Sequence, residues 1–112
     1  MTIYHNPRCR KSRETLALLQ EKGETPEVVL YLETPPSKTE LRSLLAKLGI
    51  RAEELVRKGE AVYKENYKGK VLSEADWLDA LTLHPKLIER PIVVKGDKAV
   101  IGRPPKNVLE LL

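Results

Sequence analysis

The chain has 112 residues, of which 41% are hydrophobic and 32% charged, with a net charge of +4. That length and balance suit one domain spanning 1–112 around a single core, in an ordinary globular protein. The charge is too small to argue for nucleic acid or a membrane surface as partner, and apolar runs of at most about five residues exclude a transmembrane helix.

No Phe is present and aromatics are few, so the core must come from Leu, Val and Ile. No basic-then-apolar leader opens the chain, which makes the cytoplasm the expected location. The single cysteine, Cys9, rules out an internal disulfide. Any redox cycle must borrow its second thiol from elsewhere.

In chain order, Met1 to His5 reads as a short strand and Arg10 to Lys22 as a helix, with Thr15, Leu16 and Leu19 along one side and a stop at Gly23. Glu27 to Leu32 is a nearly continuous apolar run, expected as a strand covered on both faces. Strand, helix and strand at this spacing predict a βαβ unit with parallel strands and a right-handed crossover. Thr34-Pro35-Pro36 then breaks the chain. Ser37-Lys38-Thr39-Glu40 is a capping box, followed by Leu41, Leu44, Leu45 and Leu48 at helical spacing and by Gly49.

Residues 51–68 read as one or two short helices. Ser73-Glu74-Ala75-Asp76 starts another, through Trp77, Leu78 and Leu81 to about Leu83, ended by His84-Pro85. Pro91-Ile92-Val93-Val94, the turn Gly96-Asp97 and Ala99-Val100-Ile101 predict a β-hairpin. A last short helix follows Gly102-Arg103-Pro104-Pro105, with Val108, Leu109, Leu111 and Leu112 as apolar contacts. The order βαβ, helices, ββα is that of an α/β thioredoxin-like (glutaredoxin-like) fold. It has a mixed four-stranded sheet and a helical segment inserted at about 37–83.

Cys9 is the most informative residue. It sits between a strand and a helix, where backbone N–H groups and the positive end of the helix dipole favour a thiolate. Arg8, Arg10, Lys11 and Arg13 act in the same direction. The alternative, a small buried hydrophobe, suits an apolar run, and Cys9 has no apolar neighbour within two residues. In a thioredoxin-like fold the strand opened by Pro91 approaches the same point, and a cis Arg90-Pro91 bond explains a proline there. Arg90, Arg103 and Arg57 are flanked by rigid or apolar residues. Together they suit a cage of planar donors around a tetrahedral oxyanion; ordinary surface ion pairs are the alternative for each.

His5-Asn6-Pro7-Arg8-Cys9-x-x-Ser12-Arg13, Tyr31-Leu32-x-Thr34-Pro35-Pro36, His84-Pro85-x-Leu87-Ile88-x-Arg90-Pro91-Ile92-Val93-Val94 and Gly102-Arg103-Pro104 resemble the ArsC family of arsenate reductases, in its glutaredoxin- and glutathione-coupled branch. The resemblance runs over essentially the whole chain. It implies a catalytic Cys9, oxyanion-binding Arg57, Arg90 and Arg103, a His5 that lowers the cysteine's pKa, and a Ser12 that helps hold the thiolate and oxyanion. It further implies arsenate or a similar small oxyanion as substrate, glutathione as cosubstrate, glutaredoxin as partner, a monomer, and no tightly bound cofactor or metal.

Two other functions share parts of this pattern. An Spx-like regulator that binds RNA polymerase typically carries Cys-x-x-Cys, where this chain has Cys9-x-x-Ser12, and generally lacks the arginine that stands here as Arg103. A monothiol glutaredoxin-like module acting on glutathionylated proteins has no need of the arginine set. A phosphatase-type reductase requires Cys-x5-Arg, and the sixth residue after Cys9 is Thr15. His84, before Pro85, is expected to end a helix rather than to bind metal.

Overall fold

The computed structural model describes residues 1–112. They form two compact units, one made of Met1–Thr34 with Arg90–Leu112 and the other of Pro35–Glu89. The first holds the sheet. Strands β1 (Thr2–Tyr4), β2 (Glu27–Val29), β3 (Ile92–Lys95) and β4 (Lys98–Ile101) lie in the order β2-β1-β3-β4. β1 and β2 are parallel, joined through helix α1 (Arg10–Glu21), and the other pairs are antiparallel. This is the mixed sheet of a thioredoxin-like α/β fold, as expected.

The core of this unit is Ile3, Leu19, Val93, Val108 and Leu111. One residue comes from each of the central strands β1 and β3, one from α1, and two from the C-terminal segment, so aliphatic side chains close the core without any Phe. α1 ends where Gly23 takes a left-handed φ of 85°, a conformation that costs a side-chain-free residue little.

Two expectations need correction here. The strand read over Glu27 to Leu32 stops at Val29, because Glu33 and Thr34 both donate to the Leu30 carbonyl and turn the chain. It is also an edge strand with Val28 exposed, so its apolar run is not covered on both faces. The last helix is a 3-10 segment over Pro105–Leu111, in which Val108 and Leu111 are buried while Leu109 and Leu112 are exposed. The consecutive Pro104 and Pro105 remove N–H donors at its start. Asn107 further diverts its side-chain amide to the carbonyls of Ile101 and Arg103.

The second unit contains α2 (Lys38–Leu48), α3 (Ala61–Asn66), α4 (Glu74–Leu83) and two 3-10 turns, Ala52–Leu55 and Pro85–Leu87. The helical segment expected at about 37–83 falls within it. Ser37 with Glu40, and Ser73 with Asp76, form the two capping boxes. Leu41, Leu44, Leu45, Leu55, Trp77, Leu78, Leu81 and Leu87 are buried. Val56 and Ile88 form an isolated antiparallel bridge. His84 follows α4, its ring edge-on to Tyr67.

Candidate active site

The site is assembled where β1 gives way to α1. His5 continues β1 by donating its N–H to the Val29 carbonyl, and the loop then tightens. The Arg8 N–H donates to Asn6 Oδ1, and the Cys9 N–H to the Asn6 carbonyl, both at 3.0 Å. Arg13 reaches back from α1 to donate to the Pro7 carbonyl at 2.9 Å. These bonds fix Cys9 as the residue immediately before α1, in extended backbone conformation and half-buried.

From there the Sγ faces the backbone N–H groups of Lys11 and Ser12. Burial pushes the Cys9 thiol up. The Ser12 N–H, the Arg90 guanidinium and the Lys11 N–H outweigh it, and the pKa lies below the ordinary thiol value. Arg103 Nη1 stands 3.7 Å from the same sulfur. Both arginines come from the hairpin. Ile92 pairs with Ile101, and the Gly102 N–H donates to the Pro91 carbonyl at 2.8 Å. Arg90 and Arg103 are thus each one residue beyond the last cross-strand hydrogen bond. The Arg90–Pro91 peptide is cis, as expected; Arg103–Pro104 is a second cis bond that the sequence did not announce.

His5 and Ser12 do not simply face the sulfur. Both are buried, and His5 Nδ1 bonds Ser12 Oγ, which also accepts the Asn6 N–H at 3.0 Å. Burial and then the charge of Arg13 hold the His5 pKa below its ordinary value, so the imidazole is neutral at pH 7. The side-chain hydroxyl of Ser12 serves this internal network, whereas it is the backbone N–H of Ser12 that serves the thiolate. Backbone donors carry no residue signature, which is why only the position of Cys9 before a helix could signal them.

Two further residues frame the site. Thr15, fully buried on α1, shares its one hydroxyl proton between the Lys11 carbonyl at 2.7 Å and the Gly102 carbonyl at 3.1 Å. Gly102 has no room for a side chain, since a Cβ there would stand 2.8 Å from Thr15 Oγ1 and 2.9 Å from Pro91 Cγ. Beside the Cys9 loop lies a cavity of about 280 Å³ lined by His5, Asn6, Pro7, Arg8, Leu30, Leu32 and Glu33.

Arg57 belongs to the helical unit. It follows the Ala52–Leu55 turn, its N–H donates to the Leu87 carbonyl, and its guanidinium lies 3.7 Å from Glu60 and 3.6 Å from Glu89. In chemical terms, the sheet unit presents a thiol of lowered pKa at a helix N-terminus with two guanidinium groups beside it. Such a set binds a small anion next to a nucleophile.

The chain is similar to known proteins over nearly its whole length. The model of the ArsC family matches residues 4–111. The uncharacterized protein YfgD of Escherichia coli is 58% identical over 98% of this chain and 94% of its own length. A protein of Haemophilus influenzae named arsenate reductase is 52% identical over 98% of this chain and 97% of its own. The solved structure of an arsenate reductase from Vibrio cholerae superposes with a TM-score of 0.95 at 51% identity, covering 99% of this chain and 96% of that one.

Proposed function

The chain belongs to the ArsC family, and we propose that it is an arsenate reductase coupled to glutathione and glutaredoxin. The observation that carries this reading is the convergence of Arg90 and Arg103 on the Cys9 sulfur at the start of α1, in a chain with a relative at 52% identity named arsenate reductase.

In this reading the Cys9 thiolate attacks arsenic in arsenate and a water or hydroxide leaves, forming a sulfur–arsenic bond. Arg90 and Arg103 offset the charge that builds on the oxygens. Arg57 enters as a third donor from the family resemblance. The thiolate of glutathione then attacks the Cys9 sulfur. The sulfur–arsenic electron pair stays on arsenic, which leaves as arsenite, reduced by two electrons. The two sulfurs are oxidised to a Cys9–glutathione disulfide. Glutaredoxin takes the glutathionyl group and frees Cys9, which is why one cysteine suffices. Neither a metal nor a bound cofactor has a step in this sequence, and its reductants are those of the cytoplasm.

The cavity beside the Cys9 loop suits the thiol cosubstrate. Glutathione carries two carboxylates and one ammonium, and the lining offers the Arg8 cation, the Glu33 carboxylate and the apolar Leu30 and Leu32. The test is arsenate-dependent NADPH oxidation coupled through glutathione, glutaredoxin and glutathione reductase, with a parallel RNA polymerase pull-down. Turnover that disappears in Cys9→Ser supports the enzyme. Stable retention of polymerase with no turnover overturns it in favour of a regulator.

A further inference from the structure

A regular antiparallel pair at Pro91 and Gly102 would exchange two hydrogen bonds. Only one is made here, from the Gly102 N–H to the Pro91 carbonyl at 2.8 Å. Proline has no N–H, so the return bond to the Gly102 carbonyl does not exist. Gly102 is buried, where an unsatisfied acceptor is costly. The side-chain donor facing its carbonyl is Thr15 Oγ1 at 3.1 Å, eighty-seven residues away in sequence, which shares its one proton between this carbonyl and that of Lys11 at 2.7 Å.

We propose that Thr15 is a positioning residue for the oxyanion site: its hydroxyl replaces the missing Pro91 N–H and thereby sets where Arg103 stands relative to Cys9. This goes beyond the reading of the chain as a reductase and holds for any small anion at the same place.

The geometry leaves little slack. Thr15 lies on α1, the helix whose first N–H groups face the Cys9 sulfur, and Gly102 is the residue before Arg103. One hydroxyl therefore ties the element that carries the nucleophile to the dipeptide that carries the anion donor. The contact is close on both sides. A Cβ on Gly102 would stand 2.9 Å from Thr15 Cγ2 as well as 2.8 Å from its oxygen, so glycine is what lets the carbonyl approach. Asn107 Nδ2 holds the Arg103 carbonyl at 3.2 Å, which steadies the far side of the same dipeptide. The Thr15 hydroxyl bonds two backbone carbonyls, those of Lys11 and Gly102, so its reach to the site runs through the Gly102–Arg103 dipeptide.

The test uses Cys9 alkylation by iodoacetate, an anion, and iodoacetamide, its neutral counterpart. The ratio of the two rates reports anion guidance by the arginines, while the iodoacetamide rate tracks the thiolate itself. Thr15→Val keeps the volume and removes the hydroxyl. It is expected to lower the ratio about 5-fold, a typical coupling for residues in one network, with the iodoacetamide rate falling less than the iodoacetate rate and Thr15→Ser restoring the wild-type ratio. In an Arg103→Ala background the same change should lower the ratio no further. An unchanged ratio in Thr15→Val, or an equal drop in both backgrounds, overturns the proposal.

Should Thr15→Val fail to fold, Thr15→Ser against Thr15→Ala isolates the hydroxyl, since both lack the methyl group, and the same ratio decides. No arsenate enters the measurement. A chain that shows the ratio pattern yet reduces no arsenate would sink the reductase reading and leave the role of Thr15 standing.

Discussion

His5 Nδ1 lies 2.6 Å from Ser12 Oγ, and the pair is buried beneath the loop that carries Cys9. A serine at the first turn of a helix usually meets solvent or its own backbone. This one instead accepts the Asn6 N–H and shares a proton with a neutral imidazole. A small internal polar network therefore helps to hold the nucleophile loop.

Removing the centre of that network should be expensive. Ser12→Ala leaves the Asn6 N–H and His5 Nδ1 without a partner, at a cost of about 1–3 kcal/mol. Urea denaturation checks the size of the loss.

The same network predicts a pH dependence. The folded-state pKa of His5 is below its unfolded value, so on acidification the unfolded chain binds the proton first. Stability should fall as pH drops through the ordinary histidine value of about 6.5 and level off below the folded pKa. His5→Gln should flatten this part of the profile between pH 7.5 and 5.5. An unchanged slope in that variant would assign the dependence to other groups.

For Cys9, the midpoint of alkylation rate against pH should lie below that of a free thiol. Arg90→Ala should raise it, because that guanidinium contributes both a hydrogen bond and charge. Arg103→Ala should raise it less, since Arg103 stands 3.7 Å from the sulfur, near the outer limit of a hydrogen bond to it. A wild-type midpoint at or above about 8.5 would contradict the donor set around the sulfur.

Arsenate turnover separates the arginines by role. Arg90→Ala and Arg103→Ala should each lose roughly 10²-fold or more in kcat/KM, as when one oxyanion donor is removed. Lysine replacements should rescue in part, because an ammonium lacks the planar fork. Near-normal turnover in Arg103→Ala would remove it from the site. Arg57→Ala, measured alongside, reads out whether the family role carries to this chain.

The cosubstrate cavity has its own signature. Arg8→Glu should raise the KM for glutathione several-fold through charge reversal at the lining while leaving the KM for arsenate nearly unchanged. Equal changes in both constants would argue against separate places for the two.

Much of this was readable in the chain, and the parts that were not share a cause. Ser37 with Glu40 and Ser73 with Asp76 announce helix starts because capping is a contact between residues three apart. Gly96 and Asp97 announce the hairpin for a similar reason. Leu30 to Leu32 misled because hydrophobicity reports burial, and Tyr31 is buried in a turn as fully as it would be in a strand. Around the thiol, Cys9, Arg90 and Arg103 stood out through their flanking residues. Thr15 did not. An inward threonine on a helix looks like any core position until the distant carbonyl that it meets is known.

The pairing of Ile92 with Ile101 across the Gly96–Asp97 turn carries one more implication, for how such a chain can vary through descent. Loop tips usually absorb inserted or deleted residues with little harm. Here the tip determines which residues at the open end of the hairpin stand abreast, and those are Arg90 and Arg103. An inserted residue that shifts the ladder by one, instead of lengthening the loop, turns one arginine to the opposite face of the sheet. In this protein a length change at the tip is thus tolerated only where the loop absorbs it and the two arginines stay abreast.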